Sequence, residues 1–363
     1  MAVDLRAAIL VAMSTDAGPP PAETSMLATG NAAGPEVGSR RSTSNGGRRW
    51  AVPGVHPRVL VRLAAVTTLI MGALVITGAV VRLTNSGLGC PTWPNCTPGH
   101  LVATDHLHAW IEFGNRLLTI GFSSLSIVVA AVSLLVRPRS PRLALLSWGL
   151  VGGVFLEAVL GGISVLVKLD APFVMAHFMA ALLIIWVGLL LVRDAAEAAG
   201  NAVSDSVHPS KLLLMLARAQ FAVLCLVIIA GTTVTGSGPH SGSAQARGRL
   251  PIPFLAAAQF HADMAWLFGG LTIGVLAVLR VNRAEPRLVK WAAAITAVAA
   301  LQGVLGYSTY FSGDPAVLAG FHVAGATALF MTVSWFHLLV EAGARGKRPG
   351  HRTTGQAMAN SAV

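Results

Sequence analysis

Eight long apolar stretches limit what this chain can fold into. Each is roughly 20 to 28 residues long, enough for a helix to cross the hydrocarbon core of a bilayer. They cover residues 59–81, 108–136, 143–167, 172–192, 212–235, 255–280, 289–311 and 315–341. Charged residues make up only 11% of the chain, whereas soluble domains carry about 25%. The sequence therefore predicts an all-α integral membrane protein with eight transmembrane helices.

The basic residues indicate how these helices are oriented. The chain has 26 Lys and Arg residues and a formal net charge of +11. If successive connections lie on alternate sides, one side receives only Arg82, Lys168, Arg247 and Arg249. The positive-inside rule then predicts a multi-pass protein of the cell membrane with both termini in the cytoplasm. Because the basic residues cluster at the ends of the spans, the net charge does not indicate nucleic-acid binding.

The remaining segments are two tails and a cysteine-containing loop. Residues 1–57 are rich in Pro, Gly, Ser and Arg and lack periodicity, which predicts a disordered cytoplasmic tail; residues 342–363 form a second cytoplasmic tail. The three cysteines leave room for one disulfide, and Cys90 and Cys96 lie in the first external loop, where disulfides can form. Such a bridge would either brace a lid over the first half of the chain or act as a structural staple.

An internal repeat relates the two halves of the chain. The segment LEAVLG (156–161) matches LQGVLG (301–306) at an offset of 145 residues, and TNSG (84–87) matches TGSG (235–238) at an offset of 151. Each half, 58–192 and 212–341, contains four spans, so the two halves share one orientation. The repeat predicts two tandem four-helix bundles related by a pseudo-two-fold axis along the membrane normal, unlike inverted repeats.

Histidines recur at matched places in these halves. His177 and His322 are repeat equivalents, His261 lies in the sixth span, and its counterpart in the second span is Asn115. A single intramembrane histidine can simply bond a neighbouring helix, but recurrence favours axial ligands of haem in a helical bundle. The sequence therefore predicts a haem held by His261 and His322. Zinc is less favoured, because neither half offers three or four clustered ligands.

The first half differs chemically from the second. Glu112 lies three residues before Asn115, hence on the same face of a helix. Its carboxylate has two readings: an ion pair with Arg116 at the i, i+4 spacing, or a functional group beside an open ligand position opposite His177. A substrate site needs such an open position.

Other polar residues keep alternative interpretations. Arg82 and Arg116 could contact haem propionates or anchor helices at the interface. Glu157, whose repeat equivalent is Gln302, could make a hydrogen bond within the helix packing. His240 lies on a Gly-rich external loop, where a structural or propionate contact is more plausible than iron ligation.

Several motifs resemble those of the heme A synthase (CtaA) family. They are VRLTNSGLGCPTWP (81–94), IEFGNR (111–116), LGG (160–162), TGSGPH (235–240) and QGVLGY (302–307). The resemblance covers about residues 58–341. It implies two four-helix bundles, a bound haem b, and oxidation of a methyl group of heme O to a formyl group. It also implies supply of heme O by a heme O synthase and use of heme A in cytochrome oxidase assembly.

The resemblance also implies roles for individual residues. His261 and His322 resemble the ligands of haem b, His177 a histidine of the substrate side, and Glu112 the catalytic glutamate. Cys90 and Cys96 match the external cysteine pair of many members. Two positions depart from the family pattern. At the first, Asn115 stands where a histidine is usual.

The second departure is Glu157, which stands where glutamine is usual.

The main alternative function is a di-haem b-type membrane electron-transfer protein, which uses the same histidines without changing any haem. A transporter without haem is the third candidate function. Homo-oligomer formation is compatible with each of these.

Overall fold

The computed structural model describes residues 54–103, 106–200 and 209–346. The helices in these residues are α1 Pro57–Leu83, α2 Leu107–Leu135, α3 Pro141–Leu166, α4 Ala171–Ala198, α5 Lys211–Ser237, α6 Phe254–Val281, α7 Pro286–Phe311 and α8 Ala316–Gly346. All eight are long and apolar enough to cross a membrane, so the predicted all-α fold with eight spans is confirmed. Helices α4 and α8 continue past the predicted span ends, and α8 includes the start of the predicted tail 342–363. Residues 1–53 and 347–363 of the two predicted tails lie outside the described residues.

The helix starts follow from local sequence. The side chains of Ser140 and Ser210 accept hydrogen bonds from the backbone N–H three residues later, at the beginnings of α3 and α5. Pro57, Pro141 and Pro286 occupy the first positions of α1, α3 and α7. A capping side chain satisfies a free N–H group, and proline lacks the N–H that has no partner at a first position.

The same turn ends α3 and α7. Lys168 and Leu169 both have a φ of 58°, and Gly313 and Asp314, 145 residues later, have φ values of 78° and 59°. Leu169 and Asp314 each donate their N–H to the carbonyl five residues earlier, at 2.7 and 2.8 Å. The sequence repeat is therefore also a repeat of backbone conformation at this turn. The two-fold axis relating the complete halves stays a prediction.

The helices contact one another as two rings of four. Within α1–α4 each helix contacts the next and α1 contacts α4, and α5–α8 repeat this pattern; α1–α8, α4–α5 and α4–α8 contacts join the rings. Small residues allow close approach: a Cβ at Gly188 of α4 would lie 2.3 Å from Oγ1 of Thr68 on α1. At Gly72 of α1, a Cβ would lie 3.0 Å from the sulfur of Met331 on α8. Small interfacial residues are typical of helix packing in membranes.

The two ends of the helix bundle carry different features. One, called the disulfide end below, holds the loop 84–106 with Cys90 and Cys96, together with the connections α3–α4, α5–α6 and α7–α8. At the opposite end, Asp194 pairs with both Arg142 and Arg193, and Arg218 lies 2.6 Å from Glu341. Part of the basic charge that predicts the orientation is therefore paired with acidic groups.

Candidate functional site

Three histidines and one asparagine lie at similar depths on four helices. Asn115 is on α2, His177 on α4, His261 on α6 and His322 on α8. Each lies about 9–12 Å along its helix, close to two turns, from the helix terminus at the disulfide end. The two rings of helices thus each carry a pair of these positions at one level.

The structure brings the two second-half histidines together. The ring centroids of His261 and His322 are 6.1 Å apart and the ring planes are nearly perpendicular, at 86°. Nδ1 of His261 lies 2.9 Å from the carbonyl oxygen of Val227 on α5, and donation of the Nδ1 proton to that carbonyl leaves Nε2 with a free lone pair. Nδ1 of His322 is buried and has no hydrogen-bond partner among the described residues.

Glycines make the room for these imidazole rings. A Cβ added at Gly231 of α5 would lie 3.1 Å from Cε1 of His261, and one at Gly306 of α7 would lie 3.2 Å from Cε1 of His322. Both distances are shorter than ordinary van der Waals contact. The glycine of the repeated Leu-Gly motif is therefore a packing position for the histidine of the next helix.

These features fit a haem iron between the imidazole rings of His261 and His322. An iron bound to one nitrogen of each imidazole at about 2 Å separates the ring centroids by about 6 Å. The observed separation of 6.1 Å has this size. Within residues 54–103, 106–200 and 209–346, no three His, Cys, Asp or Glu side chains converge, whereas a structural zinc site uses four protein ligands and a catalytic one three.

His177 has the same glycine contact in the first half. A Cβ at Gly161 of α3 would lie 3.2 Å from Cε1 of His177, the distance found at the repeat-equivalent Gly306. The partner of Nδ1 is different: Oε2 of the buried Glu157 lies 2.7 Å from it. The pair lacks the alignment of a full N–H···O hydrogen bond. The structure therefore places Glu157 next to His177. Glu157 was expected to make a contact between helices, and its partner is a candidate haem ligand.

Asn115 is held by a neighbouring helix. The hydroxyl of Thr77 on α1 donates to Oδ1 of Asn115 at 2.7 Å. The other histidine of α2, His108, has its Nδ1 2.9 Å from Oγ of Ser86 and lies two helical turns away from Asn115. The amide thus occupies the place that His261 has in the second half.

Glu112 and Arg116 form the predicted ion pair and together hold the disulfide loop. Nη2 of Arg116 lies 2.6 Å from Oε1 of Glu112, and the backbone N–H of Cys90 donates to Oε2 at 2.8 Å. The guanidinium also donates to the carbonyls of Cys90, Thr92 and Asn95 at 3.0 to 3.3 Å. One carboxylate oxygen and most guanidinium donors therefore contact the loop, the other carboxylate oxygen contacts Arg116, and Arg116 is placed by loop carbonyls.

The disulfide loop packs against the end of α3 that carries the glycine next to His177. Cys90 and Cys96 are bonded and fully buried. Trp93, between them, lies on α3: a Cβ at Gly162 would be 2.7 Å from its ring. Gly162 follows the Gly161 that contacts His177, whose side chain is 42% exposed. The lid and the staple interpretations of the cysteine pair both stay predictions.

Arg82 joins the two halves at the disulfide end. Its Nη1 donates to the carbonyl of His240 at 2.7 Å, and Nε2 of His240 lies 2.7 Å from the carbonyl of Asp314. An open cleft of about 540 Å³ adjoins this loop, lined by Asn85, Arg247 and their neighbours, and lies away from the histidine pairs. The contact of Arg82 is therefore with a loop of the other half.

Some contacts of the site were not foreseen from the sequence. Thr77 and Trp93 were not singled out, because nothing in the local pattern of either residue indicates a distant partner. A signal for Gly161 and Gly306 was available, since each stands 16 residues before its histidine in the repeat.

The fold and site define a polytopic helical membrane protein with a histidine pair in one four-helix ring and one histidine and one asparagine at the same level in the other. The model of the COX15-CtaA family, described as cytochrome oxidase assembly protein, matches residues 61–108 and 101–334. The chain belongs to this family, so the resemblance found in its motifs is confirmed.

Individual relatives agree with this membership. The chain is 31% identical to the heme A synthase of Geobacillus thermodenitrificans over 144 residues, which is 37% of this chain and 44% of the relative. It is 24% identical to the heme A synthase of Shewanella oneidensis over 315 residues, 76% of this chain and 93% of the relative. A third, from Symbiobacterium thermophilum, is 33% identical over 136 residues, 37% of this chain and 44% of the relative. The chain thus spans less than half of two of these relatives and nearly all of the other.

Proposed function

We propose that this protein is a heme A synthase that oxidises a methyl group of heme O to the formyl group of heme A. The observation that carries the proposal is the difference between the halves of a COX15-CtaA family member. In the second half, His261 is paired with His322. In the first half, the residue that corresponds to His261 in the sequence repeat is Asn115. A two-histidine site suits a resident electron-carrying haem, and a site with one histidine suits a haem that reacts.

The second half would hold the cofactor haem b. His261 and His322 would bind its iron, and the contacts of Gly231 and Gly306 keep the imidazole rings in place. A bound haem b supplies one-electron transfer there. The chain contributes by fixing both rings inside an apolar bundle.

The first half would bind heme O under the disulfide loop. His177 would be its ligand, and Trp93 packs on Gly162, beside the glycine that contacts His177. Glu112 has both oxygens in contact with Arg116 and the Cys90 N–H. We therefore assign Glu112 an electrostatic role, stabilising positive charge that develops on the substrate, rather than that of a freely moving base.

The surroundings of the protein follow from the same proposal. Both termini lie in the cytoplasm, the protein spans the cell membrane, and a heme O synthase supplies the substrate. Labelling of single-cysteine variants at Ser204 and at the exposed Ala244 with an impermeant maleimide in intact cells tests the orientation. The label should reach position 244 alone.

The decisive experiment is extraction of haems from membranes. Membranes that contain this chain and a heme O synthase are compared with membranes that contain the heme O synthase alone, and the haems are separated by chromatography. Heme A should appear only when this chain is present. If heme O accumulates unchanged while the purified protein still carries haem b, the protein is a di-haem electron-transfer protein instead.

A further inference from the structure

The two halves differ in the side chain beside the histidine of their fourth helix. Glu157 is next to His177, and its repeat equivalent Gln302 belongs to the half of His322. We propose that Glu157 is a positioning residue that makes His177 a more electron-donating ligand of haem iron than His322. The inference rests on the proposed function, because it requires His177 to bind the first-half haem.

The contact between Glu157 and His177 is short and excludes other partners. Oε2 and Nδ1 are 2.7 Å apart. The other carboxylate oxygen, Oε1, and Nδ1 itself are both buried without any hydrogen-bond partner among the described residues. Each group therefore has the other as its polar neighbour, and a small rotation of the imidazole ring aligns Nδ1–H with the carboxylate.

A carboxylate in this place changes the properties of the ring. Accepting the Nδ1 proton in a hydrogen bond fixes the tautomer and leaves the lone pair on Nε2 for the iron. It also makes the imidazole more basic, as partners of ligating histidines do at other metal sites. The effect is strong where the surroundings have a low dielectric constant. Glu157 is only 8% exposed, and the Nδ1 atom of His177 is buried, although 42% of the His177 side chain is exposed.

The histidines of the second half have neutral surroundings. Nδ1 of His261 faces the carbonyl of Val227, and Nδ1 of His322 has no partner among the residues described. The amide of Gln302 is directed at α8, where a Cβ at Gly325 would lie 1.7 Å from Nε2. Of the three candidate ligands, His177 is thus the one with an anionic neighbour.

The two special residues of the first half act on the iron from opposite sides. Asn115 provides a weak ligand or none opposite His177, and Glu157 strengthens the donation from His177 itself. A more strongly donating imidazole stabilises the oxidised iron. The first-half haem therefore has a lower reduction potential than it would have with a neutral residue at position 157.

The test compares Glu157→Gln with Gln302→Glu in the purified full-length protein carrying both haems. Glutamine keeps the shape and a hydrogen-bond acceptor but removes the charge. Redox titration followed by absorbance should show a higher midpoint potential for the first-half haem in Glu157→Gln, with the second-half potential unchanged. Resonance Raman spectra should show a lower iron–histidine stretching frequency. Gln302→Glu should lower the potential of the second-half haem.

The outcomes separate this inference from the proposed function. An unchanged first-half potential in Glu157→Gln with both haems bound overturns the inference, because a purely structural role would leave the potential in place. If Glu157→Gln fails to retain the first-half haem, Gln302→Glu decides, and an unchanged second-half potential overturns it. Absence of heme A from wild-type membranes with heme O synthase instead overturns the proposed function.

Discussion

At the scale of single residues, the two halves of this protein differ most in what faces the candidate haem ligands. Asn115 stands at the place of His261, and the Thr77 hydroxyl holds its amide. Glu157 stands at the place of Gln302. An amide oxygen is a poor ligand for haem iron, whereas a neutral imidazole nitrogen suits it. We therefore propose that Asn115 and Glu157 make the first half chemically different from the second.

Restoring a histidine at position 115 should close the open ligand position. Asn115→His should convert the first-half haem to a six-coordinate low-spin form, because both axial positions would then carry imidazole. Absorbance spectra with and without carbon monoxide check this, since the reduced wild type should bind carbon monoxide and the variant should not. Asn282→His, at the opposite end of α6, is the control. An unchanged spectrum in Asn115→His would show that position 115 does not face the iron.

Removing the charge of Glu112 should separate haem binding from chemistry. Glu112→Gln should retain both haems but lower the yield of heme A by about tenfold or more, because the electrostatic stabilisation is lost. The measurement is chromatography of haems extracted from membranes that also contain a heme O synthase. Glu197→Gln, at the opposite end of the bundle, should have no effect. Full activity of Glu112→Gln would remove this carboxylate from the chemistry.

At the scale of elements, the α3–α4 and α7–α8 pairs are repeated units. Each has a glycine against the next helix's histidine, and each turns through two consecutive residues of positive φ. The histidine is thereby placed by the shape of the preceding helix. Substitutions on that helix should affect haem binding without touching a ligand.

Two glycines on α7 offer a matched test of this placement. Gly306→Ala should displace the His322 ring, because the added Cβ would lie 3.2 Å from Cε1, and should reduce retention of haem b. Gly303→Ala adds the same methyl group one turn earlier, where nothing lies within 4 Å, and should leave haem binding unchanged. Haem-to-protein ratio and the low-spin spectrum are the measurements. Equal behaviour of the two variants would contradict the packing role of Gly306.

At the scale of the whole molecule, polar and aromatic contacts join the two four-helix rings at both ends. Arg82 bonds the loop of the second half at the disulfide end. At the opposite end, the ring of His337 on α8 stacks on Phe221 of α5 at 4.9 Å, and Phe221 stacks on Trp186 of α4 at 4.7 Å. The local sequence around His337 does not indicate these contacts, because its partners lie on helices distant in the chain.

Loss of the Arg82 contact should weaken the junction. Arg82→Ala should lower the free energy of unfolding by about 1–3 kcal/mol, the usual effect of leaving a partner of a charged hydrogen bond unsatisfied. Thermal unfolding in detergent measures it. Arg62→Ala, an exposed position of the same helix, is the control. Equal stability of the two variants would contradict a joining role for Arg82.

The sequence was sufficient to predict the eight spans. Helices in a bilayer must make their backbone hydrogen bonds internally and be apolar over a fixed length. All eight can therefore be recognised as long apolar stretches of the sequence. The ion pair of Glu112 with Arg116 was foreseen as one alternative, because an i, i+4 spacing is local. The loop carbonyls that complete its surroundings were not, because they depend on how the loop folds back onto α2.

By itself, the sequence determined the number of helices, the internal repeat and the histidine positions, since each depends on residues close in the chain or on a constant offset. Only the tertiary structure decided that Glu157 contacts His177, that Thr77 holds Asn115, and that Trp93 covers α3. Those contacts join different elements, and their geometry depends on helix rotation and loop path. Side-chain periodicity does not specify these.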